Sequence, residues 1–208
     1  MNNNISNNLK LHYEECFKKF GATSEGIDWG NDINKLFLRY DKMLELFIDD
    51  KSAKKSLLDV GCGYAGFYDY IKSKEINIDY TGIDIVQEMI EYAQTKNPTI
   101  KELIHDDFLD FNFNKTYDYI ICNGILTQKL ETSNIDMDIY ANKLIKKMYE
   151  LSNKGIAFNI MTTKVNFFSN NLYYRNPSEL MAYCMSEITN KIKIDHTYLY
   201  EYTVYLYK

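Results

Sequence analysis

This sequence has no C-x-x-C pair, no basic excess and no long apolar run, and each absence removes a class of protein. Its four cysteines, Cys16, Cys62, Cys122 and Cys184, are far apart, and no histidines are grouped near them to build a zinc site. They are expected as reduced thiols, with no metal. The formal net charge of −5 gives no general attraction to a phosphate backbone, which argues against nucleic acid as a partner. No apolar stretch approaches the roughly 20 residues of a membrane span. Met1 to Asn8 lack the basic and apolar regions of a signal peptide. A cytoplasmic protein with no membrane partner and a disordered start over residues 1–8 is expected. Arginine is also scarce, only Arg39 and Arg175 standing among 24 basic residues. Where lysine serves for solubility, a guanidinium marks a place that wants two fixed donors.

What remains is a 208-residue chain, long enough for one α/β domain with a full core. Its organising stretch is Ser56-Leu57-Leu58-Asp59-Val60-Gly61-Cys62-Gly63-Tyr64-Ala65-Gly66, an apolar run that ends in an acid and breaks into glycines. It predicts a buried strand, a tight turn and a helix start, with the glycines leaving room for a nucleotide cofactor against the backbone. Amphipathic helices over 9–20 and 33–48 precede it and form a helical cap over 9–50. From 56 to 208 strands and helices alternate, with strands at 56–60, 79–84, 102–106, 117–123 and 155–162. Alternation of this kind gives a mostly parallel sheet covered on both faces. The last two strands, 191–196 and 201–207, are too close for a parallel crossover and predict an antiparallel hairpin. The expected fold is α/β, a Rossmann-like sheet of seven strands with one reversed.

In such sheets, ligands bind beyond the carboxyl ends of the strands, where the strand order reverses. Asp59, Gly61 and Gly63 follow the first strand, Asp84 the second, Asp107 the third and Asn123 the fourth. Asp84 suits the ribose hydroxyls. Asp107 suits the adenine amino group, with Ile85 or Phe108 over a ring face. A carboxylate at Asp59 would repel a pyrophosphate, whereas S-adenosylmethionine carries a sulfonium and an ammonium that acids complement. That order of acids disfavours a dinucleotide-dependent oxidoreductase.

Leu57-Leu58-Asp59-Val60-Gly61-Cys62-Gly63, Gly82-Ile83-Asp84, Asp106-Asp107-Phe108 and Tyr117-Asp118-Tyr119-Ile120-Ile121-Cys122-Asn123-Gly124 resemble the successive motifs of class I S-adenosylmethionine-dependent methyltransferases, over about residues 56–162. Ala65 stands where a third glycine is often found. The resemblance implies ribose binding by Asp84, adenine binding by Asp107, and a methionine site lined by the backbone around Gly61 and Asn123. Gly26-Ile27-Asp28-Trp29, Gly155-Ile156-Ala157-Phe158-Asn159, Leu172-Tyr173-Tyr174-Arg175-Asn176-Pro177 and Tyr198-Leu199-Tyr200-Glu201-Tyr202-Thr203-Val204 further resemble a group of small stand-alone bacterial methyltransferases. Some related small enzymes act on oxygen atoms of small intermediates, phosphoryl oxygens included.

Asn123-Gly124-Ile125-Leu126 differs from the Asn/Asp-Pro-Pro-Tyr/Phe run typical of enzymes that methylate base or glutamine amino groups, which leaves a small acceptor. Arg39 is expected on the cofactor carboxylate with Trp29 closing over it. Arg175, with Tyr173, Tyr174 and Tyr200, is expected on an anionic acceptor. His196 is the candidate base. The expected reaction is O-methylation of a small anionic or sugar-like metabolite. N-methylation of a small amine, or a non-catalytic cofactor-binding subunit, stands as the alternative.

Overall fold

The computed structural model describes residues 2–208, and side chains from residue 5 onward. Helix α1 (Asn2–Phe20), a 3₁₀ turn at Glu25–Ile27 and α2 (Ile33–Leu44) precede the sheet. There follow β1 (Ser56–Val60), α3 (Gly66–Ser73), β2 (Asp79–Asp84), α4 (Gln87–Lys96), β3 (Glu102–His105) and β4 (Tyr117–Cys122). After a second 3₁₀ turn come α5 (Asn134–Leu151), β5 (Ser152–Thr162), β6 (Tyr174–Arg175), α6 (Pro177–Glu187), β7 (Ile192–Asp195) and β8 (Glu201–Tyr207).

The strand order is β3-β2-β1-β4-β5-β8-β7, and only β8 runs against the rest. This is the expected mixed Rossmann-like sheet with its C-terminal hairpin. An eighth strand is added by β6, which pairs Tyr174 and Arg175 with Met161 and Thr162. Two residues carry too little periodicity to announce a strand. Successive strand residues face opposite sides. Leu58, Ile120 and Ile156 pack with α1, α5 and α6, while Leu57, Ile121 and Ala157 pack with α2, α3 and α4. Among the described residues no helix is long and apolar enough to cross a membrane.

Two expectations are corrected at the N-terminus. Residues 2–8 are helical rather than disordered, because Ile5 and Leu9 are buried against the sheet's α5 side and extend the amphipathic stripe backward; Met1 lies outside the described residues. Helix α2 begins at Ile33, where Asp32 caps it by accepting from the Asn34 N–H, as expected, but stops at Leu44 rather than 48. Its buried face, Leu36, Tyr40, Met43 and Leu44, seals the other side of the sheet.

Candidate active site

The order reverses between β1 and β4, and a cleft opens beyond their carboxyl ends. Its floor is the turn after β1. Gly61 has φ +73° and Gly63 φ +53°, and a Cβ at Gly61 would sit 2.7 Å from the Ile125 side chain. The turn is held to the end of β2 by its backbone. Gly61 N–H donates to Ile83 C=O at 2.8 Å, and Gly63 N–H donates to Asp84 Oδ2 at 2.7 Å. The other oxygen of Asp84 accepts from Val86 N–H at 2.8 Å. One carboxylate thus fixes both turns that face the cleft.

Four acids, Asp59, Asp84, Asp106 and Asp107, line this cleft, and no Lys, Arg or His is among its described lining residues. Burial pushes Asp59 up to about 7, against the hydrogen bond it accepts from Tyr80 Oη at 2.7 Å; the neighbouring Asp84 adds to the rise. Burial also raises Asp84, against its three backbone amides. Two carboxyls held above their usual range in a cleft without cations are poised to gain from a positively charged ligand. Asp107 accepts from Leu109 N–H at 2.8 Å, and Ile85, Phe108 and Asn123 also line the cleft. The Asn123 Oδ1 is buried and has no partner among the described residues.

The wall beside Asn123 is a closed circuit. Gly124 N–H donates to Asn159 Oδ1 at 2.9 Å, and the Asn159 amide donates to Glu201. Glu201 pairs with Arg39 Nε at 2.6 Å, the Arg39 guanidinium lies 3.8 Å from the Trp29 ring centroid, and Trp29 rests on Gly124. Trp29 therefore lines the cleft, but Arg39 does not: its charge is spent inside the protein on Glu201, where burial disfavours the free ion.

The expected acceptor residues are not gathered here. Tyr173 is fully buried and donates to Asp138, Tyr174 Oη accepts from Ser169 N–H at 3.1 Å, and Arg175 bonds Asn142 at 2.8 Å on α5. Tyr200 is 69% exposed. None of these four lines the cleft. His196 is exposed beyond β7, at the far edge of the sheet, with its ring edge-on to Tyr202. Neither a strand-end position, as for His196, nor the scarcity of arginine, as for Arg175, reveals that β5, β8 and the buried circuit lie between.

The cleft's remaining walls come from the cap. Ser6, Leu9 and Tyr13 of α1, with Ile27 before Trp29, cover it from one side, and Tyr40 of α2 reaches it from another. The amphipathic stripe through Leu9 and Tyr13 was legible, but not the surface it packs on. His12 Nε2 is 2.9 Å from Asp28 Oδ2. Asp28 also accepts from the Gln128 amide at 2.6 Å. Cys16 Sγ lies 3.8 Å from His12 Nε2, so one cysteine does have a histidine beside it.

Residues 57–151 match the family model described as a methyltransferase domain. A protein of Mycobacterium tuberculosis assigned by name to the methyltransferases is 27% identical over 157 residues, 74% of this chain and 93% of that protein. The magnesium protoporphyrin IX methyltransferase of Synechocystis, solved with bound S-adenosylhomocysteine, superposes with a TM-score of 0.69 at 12% identity, covering 98% of both chains. Phosphoethanolamine N-methyltransferase 2 of Haemonchus contortus, solved with S-adenosylmethionine, gives 0.64 at 15% identity over 89% of this chain and 46% of that one. At these identities the two solved structures are alike in fold.

Proposed function

We propose, from the premise that this chain is a class I S-adenosylmethionine-dependent methyltransferase, that its acceptor is a small molecule without negative charge, methylated on a hydroxyl oxygen or an amine nitrogen. The observation that carries this reading is the charge of the cleft: four carboxylates and no basic side chain among its described lining. An anionic acceptor would find no basic side chain to pair with in this lining. The expectation of an anionic acceptor rests on Arg175, which bonds Asn142 instead, and on the resemblance to small enzymes that act on phosphoryl oxygens.

In this reading Asp84 receives the ribose hydroxyls, Asp107 the adenine amino group, and Ile85 and Phe108 flank the ring. The turn at Gly61 and Gly63 with Asp59 and Asn123 faces the methionine end, where Asn123 Oδ1 offers an acceptor to the ammonium. The sulfonium supplies the methyl group, and the reaction is an in-line displacement by a lone pair of the acceptor. Most of the acceleration then comes from holding that atom in line and excluding water. Trp29, Tyr13 and Leu9 roof the cleft and do the excluding. An O–H or N–H nucleophile has to lose a proton, and the ionised carboxylates of the cleft or solvent can take it.

The test is incubation of the purified chain with methyl-labelled cofactor and a metabolite extract. Label in neutral or cationic products supports the reading. Label only in phosphates or carboxylates refutes it.

A further inference from the structure

Helix α1 and the loop around the first 3₁₀ turn form the roof of the cleft and meet at its outer edge. What joins them there is a cluster of three different metal-ligating side chains. His12 and Cys16 are one helical turn apart on α1, and Asp28 follows the 3₁₀ turn in a left-handed conformation with φ +59°. One ligand atom from each lies within 4.8 Å of the others. We propose that His12, Cys16 and Asp28 bind one zinc ion, which fastens α1 to the Asp28 loop and so holds the roof closed.

The argument is geometric. Zinc bonds of about 2.0–2.3 Å at tetrahedral angles separate nitrogen from oxygen by about 3.3 Å and nitrogen from sulfur by about 3.5 Å. His12 Nε2 is already 2.9 Å from Asp28 Oδ2 and 3.8 Å from Cys16 Sγ. Cys16 Sγ and the Asp28 carboxylate, which zinc would hold about 3.6 Å apart, lie within 4.8 Å of one another, so side-chain shifts of up to about an ångström would seat an ion between the three. All three donors are half-buried or exposed, so solvent reaches the site and can fill a fourth position.

The surroundings fit a ligand role. Metal-binding carboxylates are usually held by a second set of hydrogen bonds. Asp28 Oδ2 accepts from Gln128 Nε2 at 2.6 Å, and Gln128 Oε1 in turn accepts from Asn171 Nδ2 at 3.1 Å. The charges also close: a thiolate and a carboxylate balance the dication, while the imidazole stays neutral. On binding, the Cys16 thiol gives its proton to solvent, and the His12 Nε2 proton that bonds Asp28 passes by way of solvent to Nδ1, so that the imidazole stays neutral and the Nε2 lone pair is free for the ion.

The proximity of the roof gives the ion something to do. Tyr13, next to His12, lines the cleft, as do Ile27 and Trp29 on either side of Asp28. A bond through the metal would tie the helix that bears Tyr13 to the loop that bears Trp29. The site does not depend on which acceptor is methylated.

Cobalt(II), which takes zinc's place in such sites and absorbs light, is the probe. Titrated into the full chain, it should give one equivalent of binding with a thiolate-to-cobalt charge-transfer band in the near ultraviolet, bleached by zinc. Cys16→Ser should abolish the band, His12→Ala and Asp28→Asn should weaken binding at least tenfold, and Gln128→Leu should weaken it about 10- to 100-fold. Cys184→Ser, which alters a buried thiol elsewhere, should change nothing. Circular dichroism of each metal-free variant shows that it is folded. In parallel, zinc should slow amide exchange of residues 2–20 in the native chain and not in the Cys16→Ser variant. Absence of the band in the native chain, or its persistence in Cys16→Ser, overturns the proposal.

Discussion

Arg39 Nε lies 2.6 Å from Glu201 Oε1, an ion pair in which the glutamate side chain is 1% exposed and the arginine side chain 12% exposed. It joins the cap helix α2 to the reversed strand β8, and through Asn159 and Trp29 it encloses Gly124 at the cleft wall. Removing one member of such a pair leaves the other charged and unmatched.

Glu201→Ala should therefore destabilise the protein by about 3–5 kcal/mol, whereas Arg39→Leu with Glu201→Leu together should come close to the native stability. Urea unfolding of the three proteins decides it. Equal losses in the single and double variants would contradict a paired role.

Gly124 is the contact point of that circuit with the cleft. Its φ of +113° is foreign to a side-chain-bearing residue, and a Cβ there would lie 2.9 Å from Trp29 Cζ2. Gly124→Ala should cost roughly 1–3 kcal/mol of stability and displace the indole from the cleft. Thermal unfolding and tryptophan fluorescence report the two effects, and Trp29 is the only tryptophan.

Asp84→Ala should weaken S-adenosylmethionine binding by about 10- to 150-fold, the loss of charge-assisted hydrogen bonds of about 1.5–3 kcal/mol. Because Asp84 also accepts from Gly63 and Val86, the variant should melt earlier as well. Calorimetry at a temperature where the variant is folded separates the effects. Unchanged affinity would refute the ribose assignment.

The Asp59 carboxyl, raised to about 7, gives cofactor binding a pH dependence of definite sign. A cation prefers the ionised carboxylate, so affinity should rise with pH through about 7, by at most about tenfold per unit, with proton release on binding. Without ligand the sign is opposite. The folded state holds this proton more tightly than the unfolded one, so the group's stabilising effect is complete below about pH 4 and fades as pH rises to about 7. Asp59→Asn should flatten both trends. Calorimetry and thermal unfolding across this range measure them.

His196→Ala should leave turnover within about twofold and stability within about 0.5 kcal/mol, since the ring is exposed beyond the last strand of the sheet. A large fall in turnover with the cofactor still bound would restore His196 as the base.

Much of the fold was legible because its signals are local. The acid-then-glycine ending of β1, the alternation of strands and helices, and the short spacing between β7 and β8 each follow from nearby residues. The cleft acids were legible for the same reason, since strand ends in a sheet of this order share one edge. What escaped was fixed by distant partners. Nothing near Arg39 announces Glu201, 162 positions later in the chain, so its charge was assigned to a ligand instead. Tyr13 and His12 sit on a recognisable amphipathic helix, but only packing against α5 and the Asp28 loop shows that this helix roofs the cleft.

The most direct test of the account is the charge of the methylated product. The chain is incubated with methyl-labelled S-adenosylmethionine and extract, and small products are passed over an anion exchanger at neutral pH. The account predicts enzyme-dependent label in the unretained neutral or cationic fraction. Label found only in the retained, anionic fraction would contradict it.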